Sequence, residues 1–452
     1  MKISQTIFKS YDIRGIYPKE LNADAAYEIG RGFINYTKAK RVAVGQDARI
    51  SSSDLFLGLV KGITDRGAHV YSVGQVPTEC LYFSVGNYDF DAGIMITASH
   101  NPKEYNGMKM LQKKDNNIEI IRGKDLLSAI EKEDLAKSCD ASILPSAEQF
   151  NRINIWKDYL KHVLSFIDKK EVKNFKIIVD ASNGVAGLVF SKIKKDLPVE
   201  IISLNFNPDG DFPNHSPNPL LEGSTDQLRE KIRKEKADFG FIFDGDADRI
   251  FLADERGHMA GADATLLLLA KYFLKKNPGA AVAYNVICSK AVPEFIKKWG
   301  GKPIRTQVGF VNVREGLLNN NGIMGGELSG HYCFKDNFYL DSGMISFLTL
   351  LQIISQENKK VSELVQELSS YAKSSEINFE IENKEEILSK IKEKYSDGKQ
   401  DYLDGVTVEY KDWWFNARAS NTEPLLRLTI EADTEELLKV KQKELSDFIS
   451  NN

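Results

Sequence analysis

The chain has 452 residues, 42% hydrophobic and 27% charged, a length that implies three or four domains and a composition ordinary for a soluble globular protein. Sixty basic against 64 acidic residues leave a formal charge of −4, which supplies no electrostatic footprint for nucleic acid or an anionic membrane. Any anion must therefore be held by a local cluster.

The opening MKISQTIFKSYDIRG has no apolar core of signal-peptide length. Apolar stretches at residues 41–44, 92–96, 176–179, 239–243 and 281–284 read as strands, each followed by a polar turn and a helical pattern. Such alternation predicts α/β domains with parallel or mixed sheets, whose functional loops lie beyond the strand C-termini. A polar stretch at residues 138–152 reads as a linker, and the turn at 255–261 opens a third unit. The run at 266–270 is too short to cross a bilayer. From about residue 369 a Lys- and Glu-rich helix at 384–395, strands at 405–410, 413–417 and 425–432, and a final amphipathic helix read as an α+β domain. The expected division is 1–152, 153–254, 255–368 and 369–452. Cys80, Cys139, Cys288 and Cys333 are scattered without CxxC spacing and read as reduced thiols. A cytoplasmic location, no membrane and no obligate protein partner are expected.

Four turns carry the chemistry. Asp244-Gly245-Asp246-Ala247-Asp248-Arg249 follows the strand at 239–243. Three acids at alternate positions point the same way if the chain stays extended. At about 5 Å and an effective dielectric of about 20, each pair would repel by roughly 3 kcal/mol. A divalent cation removes that cost, and three hard oxygen ligands favour Mg²⁺. A calcium EF-hand is rejected: Glu255 falls at the twelfth position, but Arg249 stands where that loop needs glycine and the flanks read as strands.

Thr97-Ala98-Ser99-His100-Asn101-Pro102 follows the strand at 92–96. It exposes Ser99 as a candidate nucleophile, with His100 and Lys109 to assist proton transfer or neutralise phosphate charge. No Gly-x-Ser-x-Gly elbow supports a hydrolase triad. Arg418-Ala419-Ser420-Asn421-Thr422-Glu423-Pro424 offers a guanidinium and short polar side chains for a phosphate. Gly325-Gly326-Glu327-Leu328-Ser329-Gly330-His331 suits sugar hydroxyls, and Gly309 is a lone glycine among the substrate-contact candidates. Neither a Walker loop nor a GxGxxG fingerprint is present.

In this order the four turns resemble the α-D-phosphohexomutase family, in its phosphomannomutase/phosphoglucomutase branch, from Tyr11-Asp12-Ile13-Arg14-Gly15 to the Arg418 turn. The phosphoglucosamine mutase branch is the nearest competitor. The resemblance implies three related α/β domains and a smaller C-terminal one around a central cleft. It implies hexose 6-phosphate and hexose 1-phosphate exchanged through a phosphorylated Ser99 and a hexose 1,6-bisphosphate. Asp244, Asp246 and Asp248 would bind Mg²⁺ with the Ser99 phosphate, and Arg249 would contact it. Glu327, Ser329 and His331 would meet the sugar. Arg418, Ser420, Asn421 and Thr422 would hold the idle phosphate, and Tyr11 and Arg14 would line the cleft. One departure stands out: Ile287 occupies a position that is usually basic in the family, which leaves Lys290 or Arg305 to supply that charge. The rival readings are a sugar-phosphate sensor, for which Ser99 and the acid triplet are superfluous, and a metal-dependent serine phosphatase, which would release phosphate steadily.

Overall fold

The computed structural model describes residues 3–114, 117–131, 149–420 and 425–451. They divide into two compact units, residues 1–259 with 336–361 and residues 260–335 with 362–452.

The first unit contains two sheets. In one, Arg41–Gln46 runs parallel to His69–Gln75 and Ala92–Ile96, while Tyr105–Lys114 pairs antiparallel with Ala92–Ile96, Ile13–Ile16 and Asn117–Ile121. Phe150–Arg152, within the stretch expected to be a linker, instead adds a parallel edge strand beside His69–Gln75. In the second sheet Lys176–Asp180 lies between Glu200–Leu204 and Phe239–Phe243, all parallel, and Ile250–Ala253 returns antiparallel on Phe239–Phe243. Ala92–Ile96 and Phe239–Phe243 are buried at every position. Their unbroken apolar sequences are what strands covered on both faces require. Each delivers its next residues, Thr97 and Asp244, to the C-terminal edge of its sheet.

Helices Ala23–Thr37 and Ser52–Thr64 cover the first sheet and meet through glycines. A Cβ on Gly58 would lie 2.2 Å from the Ala23 carbonyl oxygen, and one on Gly62 2.0 Å from that of Tyr27. Only a hydrogen fits there. The helix Gly343–Glu357, apolar nearly all round and N-capped by Ser342, belongs to this unit. Its Phe347 ring packs 5.0 Å from Phe190 and 5.1 Å from Phe241.

In the second unit Ala281–Asn285 lies between Lys302–Thr306 and Met324–Gly326, all parallel, with Tyr332–Phe334 antiparallel on the last. A separate antiparallel sheet has Leu425–Ala432 and Trp413–Ala419 at its centre, flanked by Val406–Glu409, Lys399–Asp401, Ala372–Lys373 and Ile377–Glu380. Ile387, Ile391, Leu438 and Leu445, from helices Lys384–Lys394 and Glu435–Ser450, close its core. This is the change of texture expected after residue 369. Among the described residues no helix is long and apolar enough to cross a membrane, and Cys80, Cys288 and Cys333 are buried free thiols. Cys139 lies outside the described residues.

Replacing Gly62 with alanine should force the two helices apart at the Tyr27 carbonyl. A loss of about 1–3 kcal/mol is expected from such overpacking, read as a lowered Tm in a thermal scan.

Candidate active site

Ser99 sits at φ 52°, a left-handed conformation that non-glycine residues rarely take. Its loop is held in that shape from several sides. The Ser99 N–H donates to Thr97 Oγ1 at 2.8 Å, and Thr97 Oγ1 donates to Asp47 Oδ2 at 2.8 Å. Asp47 also pairs with Arg49, Oδ2 to Nε at 3.1 Å. The buried Arg49 guanidinium then donates to four carbonyl oxygens of the loop: Ser99 at 2.8 Å, Asn101 at 2.6 Å, Pro102 at 2.7 Å and Tyr105 at 2.9 Å. Burial pushes the Asp47 carboxyl up against the opposing charge of Arg49, and pulls the Arg49 guanidinium down. Arg14 reaches the same loop, donating to Asn101 Oδ1 at 2.6 Å while paired with Asp12. Tyr11 is half-buried just ahead of the strand Ile13–Ile16.

The acid triplet meets this loop directly. Ser99 Oγ donates to Asp244 Oδ2 at 3.1 Å and lies 3.3 Å from His100 Nδ1. The triplet is not extended, so the condition for a common direction by alternation is not met. Ala247 takes φ 64° and its N–H donates back to the Asp244 carbonyl, so the segment turns. The turn still converges the acids: one carboxylate oxygen from each of Asp244, Asp246 and Asp248 lies within 4.8 Å of the others. All three residues are buried. Lys109, on the strand Tyr105–Lys114, ion-pairs with Asp246 Oδ2 at 2.7 Å and with Asp248. Thr78 Oγ1 donates to Asp246 Oδ2 at 2.5 Å. Arg249 Nε stands 3.7 Å from Asp244 Oδ2.

The charges follow from this crowding. Burial, then the charges of Asp248 and Asp246, push the Asp244 carboxyl well above the usual carboxylate range. For Lys109 burial opposes the charge, but Asp246 and Asp248 outweigh it and hold the ammonium well above its ordinary value. Asp246 Oδ1 is buried with no hydrogen-bond partner. An orphaned carboxylate oxygen among three converging acids fits a hard cation.

Within the second unit, Glu327, Ser329 and His331 form one cluster. Ser329 Oγ donates to Glu327 Oε1, and His331 Nδ1 lies 2.9 Å from Ser329 Oγ and 3.0 Å from Glu327 Oε1. Gly309, at φ 119°, caps the helix Phe310–Asn319 and gives its N–H to Glu327 Oε2 at 3.2 Å, so the lone glycine belongs to this cluster. Arg418 is buried and pairs with Glu376. The Ser420 N–H donates to the Leu425 carbonyl oxygen at 2.8 Å. Asn421 and Thr422 lie outside the described residues. Ile287 is buried, and both cations considered as its substitute have partners in the C-terminal sheet region. Arg305 pairs with Asp401 at 3.2 Å, and Lys290 Nζ lies 3.5 Å from the Tyr410 carbonyl oxygen.

Residues 5–137, 157–257, 261–371 and 376–447 match, in order, the models of phosphoglucomutase/phosphomannomutase alpha/beta/alpha domains I, II and III and of the C-terminal domain. The chain is 36% identical to a phosphomannomutase of Methanocaldococcus jannaschii, over 98% of this chain and 97% of that one. It is 35% identical to a protein of Xanthomonas campestris named phosphohexose mutases, over 98% of each. A crystal structure of a phosphoglucomutase/phosphomannomutase family protein from Burkholderia thailandensis superposes with a TM-score of 0.88 at 31% identity, covering 100% of this chain and 98% of that one. This chain belongs to the α-D-phosphohexomutase family. It is an enzyme, an intramolecular phosphotransferase.

Sequence reasoning missed several residues of this phosphohexomutase. Asp47 and Arg49 were visible only as a polar turn after the strand at 41–44, although an Asp-x-Arg at the C-terminal edge of a parallel strand is a usable signal. Thr78 gave none. Behind the acid turn, Ser182 Oγ donates to the Phe243 carbonyl oxygen at 2.5 Å, and Asp180 is tied to His215 Nε2 at 3.0 Å and Asn205 Nδ2 at 3.0 Å. Burial alone would lower the His215 pKa, but the hydrogen bond and charge of Asp180 raise it overall.

Two outcomes follow for the phosphohexomutase. Arg49→Lys keeps the charge but cannot span four carbonyls, so kcat/KM should fall by about 10–100-fold through misplacement of Ser99. Arg49→Met, which strands Asp47, should cost about 3–5 kcal/mol of stability; activity assays and denaturation read the two effects. The raised His215 contributes stability that is full below its unfolded value near ~6.5 and is lost as pH rises through the higher folded value. Tm measured from pH 6 upward should therefore drop in the native protein, with a flatter profile in His215→Gln.

Proposed function

We propose that this enzyme interconverts hexose 6-phosphate and hexose 1-phosphate, with mannose and/or glucose as the sugar, through phosphorylated Ser99 and a hexose 1,6-bisphosphate. The observation that carries the reading is Ser99 Oγ, 3.1 Å from Asp244 Oδ2 at the mouth of three converging carboxylates. In this reading Asp244, Asp246 and Asp248 hold Mg²⁺ together with the Ser99 phosphate. When bound, the ion supplies positive charge that lets a second phosphate approach.

The protein's own groups then act as follows. The Oγ–P bond of phospho-Ser99 breaks as the phosphorus bonds to O1 or O6 of the sugar, and the sugar hydroxyl gives up its proton. His100, 3.3 Å from Ser99 Oγ, is suited to take that proton and hand it to the leaving Ser99 Oγ. Lys109 is pinned as an ammonium by two aspartates, so charge neutralisation is its role. Arg249 and Arg14 steady the phosphoserine loop, with Tyr11 lining the same approach. Glu327, Ser329 and His331 meet the sugar hydroxyls, with the Gly309 N–H orienting Glu327. Arg418, Ser420, Asn421 and Thr422 hold the phosphate that is not reacting. The bisphosphate then returns its other phosphate to Ser99, so no phosphate is released. The domain limits at 152, 254 and 368 belong to the same proposal.

Relatives named phosphomannomutase at 36% identity support the mannose branch over glucosamine phosphate. Intact-mass analysis and coupled assays test the reading. Ser99→Ala should lose the phosphorylated mass and mutase turnover by roughly three orders of magnitude or more. A variant with full activity and no added bisphosphate would sink the proposal. Chelation should abolish turnover and Mg²⁺ restore it. The kcat/KM ratios for mannose-, glucose- and glucosamine-phosphates decide the sugar.

A further inference from the structure

The antiparallel register of Trp413–Ala419 on Leu425–Ala432 sets Arg418 directly opposite Arg427. Like charges at opposed positions of a sheet repel. Glu376, just ahead of the strand Ile377–Glu380, answers both: its Oε2 lies 2.6 Å from Arg418 Nη2 and its Oε1 3.1 Å from Arg427 Nη1. A single carboxylate thus bridges two guanidinium groups, one oxygen to each. The Arg418 side chain is only 4% exposed, whereas those of Glu376 and Arg427 are 28% and 23% exposed. Arg418 Nε is buried without a hydrogen-bond partner. That donor is open to a further acceptor. Here a buried cation with an unused donor borders a carboxylate that solvent can reach.

We propose that Glu376 is a positioning residue that moderates how strongly the Arg418 site holds phosphate, with Arg427 as the second cation of that site. The inference rests on the reading of Arg418 as a phosphate ligand. Two arginines alone carry +2 and match a phosphate dianion closely in charge. Glu376 reduces the local charge to +1 while fixing the plane of Arg418. A mutase gains nothing from uniformly tight binding of its intermediate. Whichever phosphate of the bisphosphate lies in this site must leave it for the other to enter. The resident carboxylate keeps the site attractive enough to orient phosphate and weak enough to release it.

The sign of the effect separates this role from a structural one. Inorganic phosphate is used as a competitive inhibitor of the full-length enzyme, with kcat and KM measured for a hexose 1-phosphate. Glu376→Gln should strengthen phosphate inhibition by about three- to tenfold, lower KM in parallel and lower kcat. Arg427→Gln should weaken phosphate inhibition by a similar factor. If Glu376 merely props up Arg418, its loss weakens phosphate inhibition as the Arg427 change does, and the proposal falls. Unchanged inhibition in Glu376→Gln also overturns it. Should that variant lose its near-ultraviolet circular dichroism, the double variant Glu376→Gln/Arg427→Gln, which restores the local charge of +1, decides: inhibition close to native supports the proposal, and inhibition no stronger than in Arg427→Gln alone overturns it. Arg418→Gln distinguishes the two levels of the argument. Unaltered phosphate inhibition there would fault the assignment of Arg418 itself, whereas weakened inhibition there with no tightening in Glu376→Gln faults only the present inference.

Discussion

Three carboxylates in one buried turn, with oxygens within 4.8 Å of one another, are the constraint that the surrounding site answers. Mutual repulsion and burial both act against their charges, as the raised Asp244 carboxyl shows. Lys109 pairs with one oxygen each of Asp246 and Asp248, and Arg249 stands near Asp244, so a formal −3 meets +2. Adding a phosphate to Ser99 would bring roughly −1.5 to −2 more. The same feature that makes the turn costly suits it to a cation.

That arrangement depends on two turns being held in uncommon backbone conformations. Ser99 at φ 52° and Ala247 at φ 64° each follow a strand with no exposed residue. Non-glycine residues persist there only when their surroundings over-determine them. For Ser99 the surroundings are the Arg49 guanidinium on four carbonyls and the Thr97–Asp47 pair beneath. For the acid turn they include Thr78 on Asp246 and the Ser182 bond to the end of its strand. Rigid strands deliver the chemistry to the edge of the sheet, and buried polar clamps then aim it.

The strands and the four turns were legible in the sequence because they are local: apolar runs and clustered turn residues announce themselves within ten residues. Ala92–Ile96, Phe239–Phe243 and Leu425–Ala432 fall where the pattern put them. The order of the turns was enough to reach the family. What stayed hidden was the set of clamps, because each works across a long sequence separation. Arg49 meets Ser99 fifty residues on, and Thr78 meets Asp246 after 168. Glu376 reads as an ordinary acid until the register of two later strands sets a pair of arginines beside it. The turn within the acid triplet was hidden for a local reason instead, since no composition rule places an alanine in the left-handed region.

A common logic joins the cations of both units. Arg14 is paired with Asp12, Lys109 with Asp246 and Asp248, and Arg418 with Glu376. A long cationic side chain left alone loses rotamer freedom when it closes on a phosphate, and that loss weakens binding. An acid that already orients it removes the loss before the ligand arrives. The same acid also subtracts from the field that the phosphate feels. A hydrolase or a sensor could accept the tightest anion site its cations allow. The proposed passage of phosphate between two ends of a sugar calls for orientation without tenacity, and acid-paired cations supply both.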